Sequence, residues 1–184
     1  MAFPYPIFLL TLTHHNRFMT DLYISWTEYH QKIEQLAIKI YQSGWKGDRI
    51  VCLAKGGLRV GDILCRIFKQ PLAILFSASY KGKTRSEIIF SQNLSMIEST
   101  LTGKVLLVDD LVDSGVSLKE AIIWLQNRYG NEITEIKTAV IWYKASSLVI
   151  PDYYIDYLQD SPWIHQPFEK YEQMNLQELS NNIT

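Results

Sequence analysis

The sequence predicts an α/β fold with a mostly parallel central sheet and helices on both faces. Three observations carry that prediction. Apolar strand-like runs alternate with amphipathic helical segments along the chain, the order that produces crossover connections. The strand at Arg49 to Ala54 holds Ile50, Val51, Cys52 and Leu53 without alternation, as in a strand buried on both faces. The segments after Ala54, Ser79, Val108 and Tyr143 are all polar or glycine-bearing. That is where ligands meet such a sheet, at the carboxyl ends of its strands.

The elements follow in order. Ser25-Trp26-Thr27-Glu28 is a capping box, and Tyr29, Ile33, Leu36, Ala37 and Ile40 then recur at helical spacing until Gly44 stops the helix. The strand 49–54 breaks at Lys55-Gly56-Gly57. A second helix follows, with Val60, Ile63, Leu64 and Ile67 on its apolar face. Leu72 to Ser79 is a strand after Pro71, and Lys81 to Glu87 a polar loop flanked by strand edges. Lys104 to Val108 is the clearest strand, and it runs into Asp109-Asp110-Leu111-Val112-Asp113-Ser114-Gly115. A helix spans about 116–129 and ends at Gly130. Glu135 to Tyr143 and Tyr153 to Leu158 complete the strands. This reading gives a tail at 1–20, one domain at 21–170 and a polar C-terminal tail at 171–184.

Composition narrows the function. The chain has 184 residues, 47% of them apolar and 20% charged, with a net charge of −1. A folded core is expected, and neither nucleic acid nor an anionic membrane is called for. No apolar run is long enough for a transmembrane segment. The two cysteines, Cys52 and Cys65, make no disulfide framework, so both read as core thiols in a cytoplasmic protein.

The chemistry concentrates between residues 105 and 117. A buried strand ends in two adjacent acids, Asp109 and Asp110, which can hold sugar hydroxyls or a hydrated Mg²⁺. Asp113-Ser114-Gly115-Val116-Ser117 opens the next helix, where free N–H groups, the dipole and two hydroxyls cradle an anion. An acidic ledge beside an anion cradle implies a phosphorylated sugar.

These residues resemble the phosphoribosyl-pyrophosphate (PRPP) motif of type I phosphoribosyltransferases, Val-Asp-Asp-Leu-Val-Asp-Ser-Gly here. The resemblance runs from about Leu22 to Glu169. It is greatest toward the xanthine-guanine and hypoxanthine-guanine purine enzymes, through Tyr23-Ile24-Ser25-Trp26, Ala54-Lys55-Gly56-Gly57-Leu58, Ser79-Tyr80 with Arg85, Asp152-Tyr153-Tyr154 and Trp163-Ile164-His165-Gln166-Pro167-Phe168. It implies a small hood formed by the C-terminal part of the domain. It implies a Mg²⁺-dependent purine salvage enzyme that joins PRPP to a 6-oxopurine, working as a homo-oligomer, a dimer or tetramer.

By the same resemblance, Asp109 and Asp110 hold the ribose hydroxyls and the magnesium shell. Ser114, Gly115, Val116 and Ser117 cradle the 5-phosphate. Lys55 and Gly56 bind pyrophosphate through a loop that often holds a strained peptide. Arg85, with Ser79 and Tyr80, closes over the reacting centre. Asp113 is the proton partner of the base, and with Arg85 and Lys55 forms the catalytic set. Lys144 reads the 6-oxo group, Trp163 stacks on the purine, and Ile164 and His165 meet its 2-position. The chain departs from the xanthine-guanine pattern at Lys55 (usually Arg), Val116 (often Gly), Ala145 (Pro) and His165 (Glu), which leaves the choice of base open. Two other readings remain: a module that senses PRPP or a nucleotide without catalysis, and a phosphoribosyltransferase for another base.

Overall fold

The computed structural model describes residues 21–81 and 86–181, with backbone alone at 79–81, 86, 87 and 173. Its elements are β1 (Leu22–Tyr23), α1 (Trp26–Gln42), β2 (Arg49–Ala54), α2 (Gly57–Phe68), β3 (Leu72–Lys81), β4 (Ser86–Phe90), β5 (Gly103–Val108), β6 (Leu111–Val112), α3 (Val116–Tyr129), β7 (Ile133–Lys144), β8 (Tyr153–Leu158), β9 (Ile164–His165), α4 (Lys170–Gln173) and α5 (Leu176–Asn181). The main sheet has the order β4-β3-β2-β5-β7-β6, with β8 on the other edge of β7. Its pairings are parallel except β3 with β4.

Strand alternation sorts the core into two layers. Ile50, Cys52, Leu106 and Val108 face α1 and α2, where Tyr29, Ile33, Leu36, Ile40, Val60 and Leu64 are buried against them. Val51, Leu53, Val105 and Leu107 face the opposite way, onto Leu118, Ala121 and Leu125 of α3. The α/β class and the parallel sheet are as the sequence implies. The capping box is half formed: Glu28 N–H donates to Ser25 Oγ at 3.1 Å.

Two features go beyond the sequence reading. The polar loop expected over 81–87 is bracketed by a hairpin, because β3 runs on to Lys81 and pairs with β4. The tail at 1–20 lies outside the described residues. The segment after 170 carries two short helices, α4 and α5. No helix among the described residues is long and apolar enough to cross a membrane.

The β7–β8 pairing rests on a buried polar knot. Thr138 N–H and Oγ1–H both donate to Asp152 Oδ2 at 2.8 Å, and Asp152 N–H donates back to Thr138 Oγ1 at 2.8 Å. Asp152, which the resemblance places in a purine-side tail, thus fastens β8 to the strand that ends in Lys144. Thr138→Val keeps the shape and removes the hydroxyl, leaving the Asp152 N–H without its acceptor and Asp152 Oδ2 without one of its two donors. We expect a loss of about 1–3 kcal/mol, read from the urea midpoint at unchanged m-value.

Candidate active site

A cleft of about 710 Å³ opens at the carboxyl ends of β2, β5 and β7. A smaller hollow of about 170 Å³ adjoins it, and Asp110, Leu111 and Asp113 line both. The cleft brings together Lys55 and Gly56 from the turn after β2, Asp110 and Asp113 from the segment after β5, Lys144 from the end of β7, and Trp163 and Ile164.

The two acids owe their placement to a break in the ladder. β5 and β6 lie on the same edge of β7, before and after the acids. Between them the Asp110 carbonyl accepts from both Ile141 N–H (3.0 Å) and Trp142 N–H (3.1 Å). Asp109 Oδ1 accepts the Asp110 N–H at 2.9 Å. Asp110 is buried, and its Oδ2 accepts from Gln166 Nε2 at 2.6 Å. Burial pushes the Asp109 carboxyl well above the ordinary carboxylate range, and the neighbouring Asp110 charge pushes it further. Burial also raises Asp110, against the hydrogen bond from Gln166. Gly56 makes this packing possible, since any Cβ there would overlap the Asp110 carboxylate. The Ala54–Lys55 peptide just before it is cis.

These acids fit a partly hydrated divalent cation. Among the described residues no group of three or more His, Cys, Asp or Glu side chains could enclose a metal ion. Two carboxylates therefore offer an open site. Mg²⁺ suits such a site because it keeps several waters and completes its shell with substrate oxygens. Two polar atoms close by, Tyr29 Oη and Gln166 Oε1, are shielded from solvent and receive no hydrogen bond.

The hollow beside the acids is built by the start of α3. Gly115 has φ +79°, and a Cβ there would strike the Ser147 hydroxyl. That left-handed turn lets Leu148 N–H donate to Ser114 C=O at 3.0 Å. The helix ladder begins with Lys119 N–H donating to Gly115 C=O. The earlier N–H groups of the first turn, Ser117 among them, have no intrahelical acceptor and line an anion-sized hollow with the positive end of the dipole behind them. Ser114 Oγ accepts weakly from Val116 N–H at 3.4 Å.

On the other side of the cleft Lys144 is 4% exposed, and its Nζ lies 3.1 Å from Asp113 Oδ2. Asp113 is largely exposed, and Ser146 Oγ–H reaches its Oδ1 at 3.3 Å. The Lys144 ammonium is 5.9 Å from the centre of the Trp163 ring.

Most of the residues expected at the site are therefore brought together, but not all. Arg85 lies outside the described residues. Of Ser79 and Tyr80 the structure gives only the backbone, in β3 opposite Ile88 and Glu87. His165 is not brought to the cleft. In β9 the side chains alternate, so Ile164 turns inward and His165 outward, where its ring stacks on Tyr23 at 4.3 Å. Direct reading of a base by the His165 side chain is thereby corrected: Gln166, one step on, faces the cleft instead. The alternation of Ile164, His165 and Gln166 was the available signal for this. Arg59 also lines the cleft, one helical turn beyond Lys55, with its guanidinium 4.3 Å from the Phe168 ring centre.

The buried acids have a measurable cost. A carboxyl whose folded pKa lies above its unfolded value holds its proton longer in the native state. Native stability then falls as pH rises from near 4, the ordinary value, toward the raised one. Asp109→Asn removes that charge, and its amide nitrogen can donate to Asp110. We expect a Tm about 3–6 °C higher at neutral pH, from about 1–2 kcal/mol, and a flatter decline of Tm with pH, measured by calorimetry without ligand.

Residues 25–173 match the family model of the phosphoribosyl transferase domain. Among solved structures, a purine phosphoribosyltransferase from Pyrococcus horikoshii is 27% identical, with a TM-score of 0.69 over 82% of this chain and 94% of its own. A xanthine-guanine-hypoxanthine phosphoribosyltransferase from Helicobacter pylori shares the fold at 18% identity, with a TM-score of 0.69 over 84% of this chain and 100% of its own. A hypothetical protein from Neisseria gonorrhoeae with bound ppGpp does so at 21% identity, with a TM-score of 0.67 over 89% and 94%. Because that family model matches most of the chain, the chain belongs to the phosphoribosyltransferase family.

Proposed function

We propose that this protein transfers the 5-phosphoribosyl group of PRPP to N9 of a 6-oxopurine (guanine, xanthine or hypoxanthine), releasing pyrophosphate and the nucleoside monophosphate. The observation that carries this reading is the buried Lys144 held on Asp113 beside Trp163, in the cleft that also holds Asp110. An ammonium at that place suits an oxo group and repels an amino donor. The similar protein from Pyrococcus horikoshii is a purine phosphoribosyltransferase, which supports this reading.

The roles are those the family resemblance implies, and the placement of the described residues supports them. Ser114, Gly115, Val116 and Ser117 hold the 5-phosphate, and Asp109 and Asp110 the ribose hydroxyls. Lys55 and the Gly56 backbone face the leaving pyrophosphate, and Arg85 with Ser79 and Tyr80 covers it. As the C1–pyrophosphate bond breaks and the C1–N9 bond forms, the ribose becomes cationic and the base gives up a proton. Asp113 is placed to take that proton, and the buried acids offset the ring charge. Bound Mg²⁺, held by Asp109, Asp110 and substrate oxygens, would supply charge neutralisation for pyrophosphate. Trp163 and the Ile164 backbone wall the base. We place the activity in the cytoplasm, in keeping with the free thiols of Cys52 and Cys65.

The test is incubation with PRPP, Mg²⁺ and single bases. Nucleotide should form with one or more 6-oxopurines and not with adenine or pyrimidines. PRPP binding without nucleotide from any base would instead assign a sensing module. Asp113→Asn should keep PRPP affinity and lower kcat by about 10². Lys144→Ala should weaken oxopurine use by about 1.5–3 kcal/mol, with PRPP affinity little changed, read as kcat/KM for each substrate.

A further inference from the structure

The outward turn of His165 leaves its imidazole between two carboxylates. Nε2 lies 3.0 Å from Asp21 Oδ2, in the segment before β1. Nδ1 lies 3.3 Å from Glu169 Oε2, four residues on. The other Glu169 oxygen, Oε1, accepts the indole Nε1–H of Trp163 at 3.2 Å. Glu169 Oε2 is shielded from solvent and has no hydrogen-bond partner; the imidazole edge at 3.3 Å is a polar group beside it. Tyr23 covers the His165 ring with an interplanar angle of 13°.

The result is a series of contacts from outside the cleft to its aromatic wall: hydrogen bonds join Asp21 to His165 and Glu169 to Trp163, and a 3.3 Å imidazole–carboxylate contact lies between them. Trp163 itself is 57% exposed; the Lys144 ammonium at 5.9 Å and the edge of the His165 ring at 6.5 Å lie against its ring. A tryptophan so exposed keeps one orientation only if its N–H is tethered, and a carboxylate tethers reliably only if its own charge is held. An imidazolium can donate from both nitrogens at once, to Asp21 and Glu169 together. A lone exposed ion pair would contribute little, but linked charges acting on one side chain do more.

We infer that His165 is a positioning residue: through Glu169 it fixes the Trp163 indole, and so sets base affinity without touching the base. This rests on the reading of Trp163 as the base-stacking residue. His165→Phe keeps the ring and the Tyr23 stack and removes both donors. It should raise KM for the accepted base about three- to tenfold, within the usual range for coupled neighbours, with kcat and the KM for PRPP near wild type. The effect should vanish in a Trp163→Phe background, where no indole N–H remains to tether. His165→Gln, which can donate to one acid only, should fall between.

The structural readout needs no turnover. In protein labelled with 5-fluorotryptophan, the ¹⁹F resonance lost in Trp163→Phe identifies Trp163. That resonance should shift or broaden in His165→Phe and in His165→Gln, while the resonances of the other four tryptophans stay in place. If Trp163→Phe leaves the base KM unchanged, the stacking reading fails. If Trp163→Phe raises it but the His165 variants do not, or if the two effects simply multiply, the stacking reading stands and the relay is overturned. An unmoved Trp163 resonance in both His165 variants overturns the relay as well.

Discussion

Two carboxylates held side by side away from water are the constraint around which the site is arranged. Neither Asp109 nor Asp110 is comfortable as an anion where it stands, since desolvation raises both and Asp110 raises Asp109 further. The surrounding features answer that discomfort. The ladder breaks so that Asp109 can accept its neighbour's N–H. Gln166 reaches across the cleft to donate to Asp110. Gly56 gives up a side chain so that the carboxylate has room. A site built this way favours cations, because any positive charge arriving there offsets the cost of holding two adjacent carboxylates with little access to water.

The same economy explains the opposite wall. Lys144 is buried, as Asp110 is, yet its partner Asp113 stands in solvent. The pair is lopsided: the cation is fixed by burial, whereas the acid is free to exchange its partner for a ligand. That asymmetry agrees with the proposed division of labour, in which Asp113 takes a proton and Lys144 recognises an oxo group.

Much of this was legible in the residues. The uninterrupted run Ile50 to Leu53 announced a strand covered on both sides, and the two core layers divide its alternate residues as expected. The acids and the helix start lie within nine positions of each other, so their meeting was a local matter. What stayed hidden depended on distant partners. The two-residue strands β1 and β9 have no periodicity of their own and exist only because Leu22 meets Ile164 and Tyr23 meets His165. Which way His165 turns is set by that pairing. A reading by sequence position therefore put it on the base, and a reading by register puts it outside. Gln166 was passed over for the same reason. The ladder break at the acids follows from the long strand β7, which serves two partners along one edge.

The β1–β9 pair has a consequence for the order in which the protein comes into being. Asp21 and His165, which meet across it, are 144 residues apart. During synthesis the acid ledge and the helix-start cradle are complete in sequence by Ser117, and Lys144 follows. The aromatic wall must wait for residues 163–169 to emerge and return to the beginning of the chain. In a growing polypeptide the acids and the helix start would thus be present well before the aromatic wall, and the cleft would be closed on that side only when residues 163–169 pair with β1.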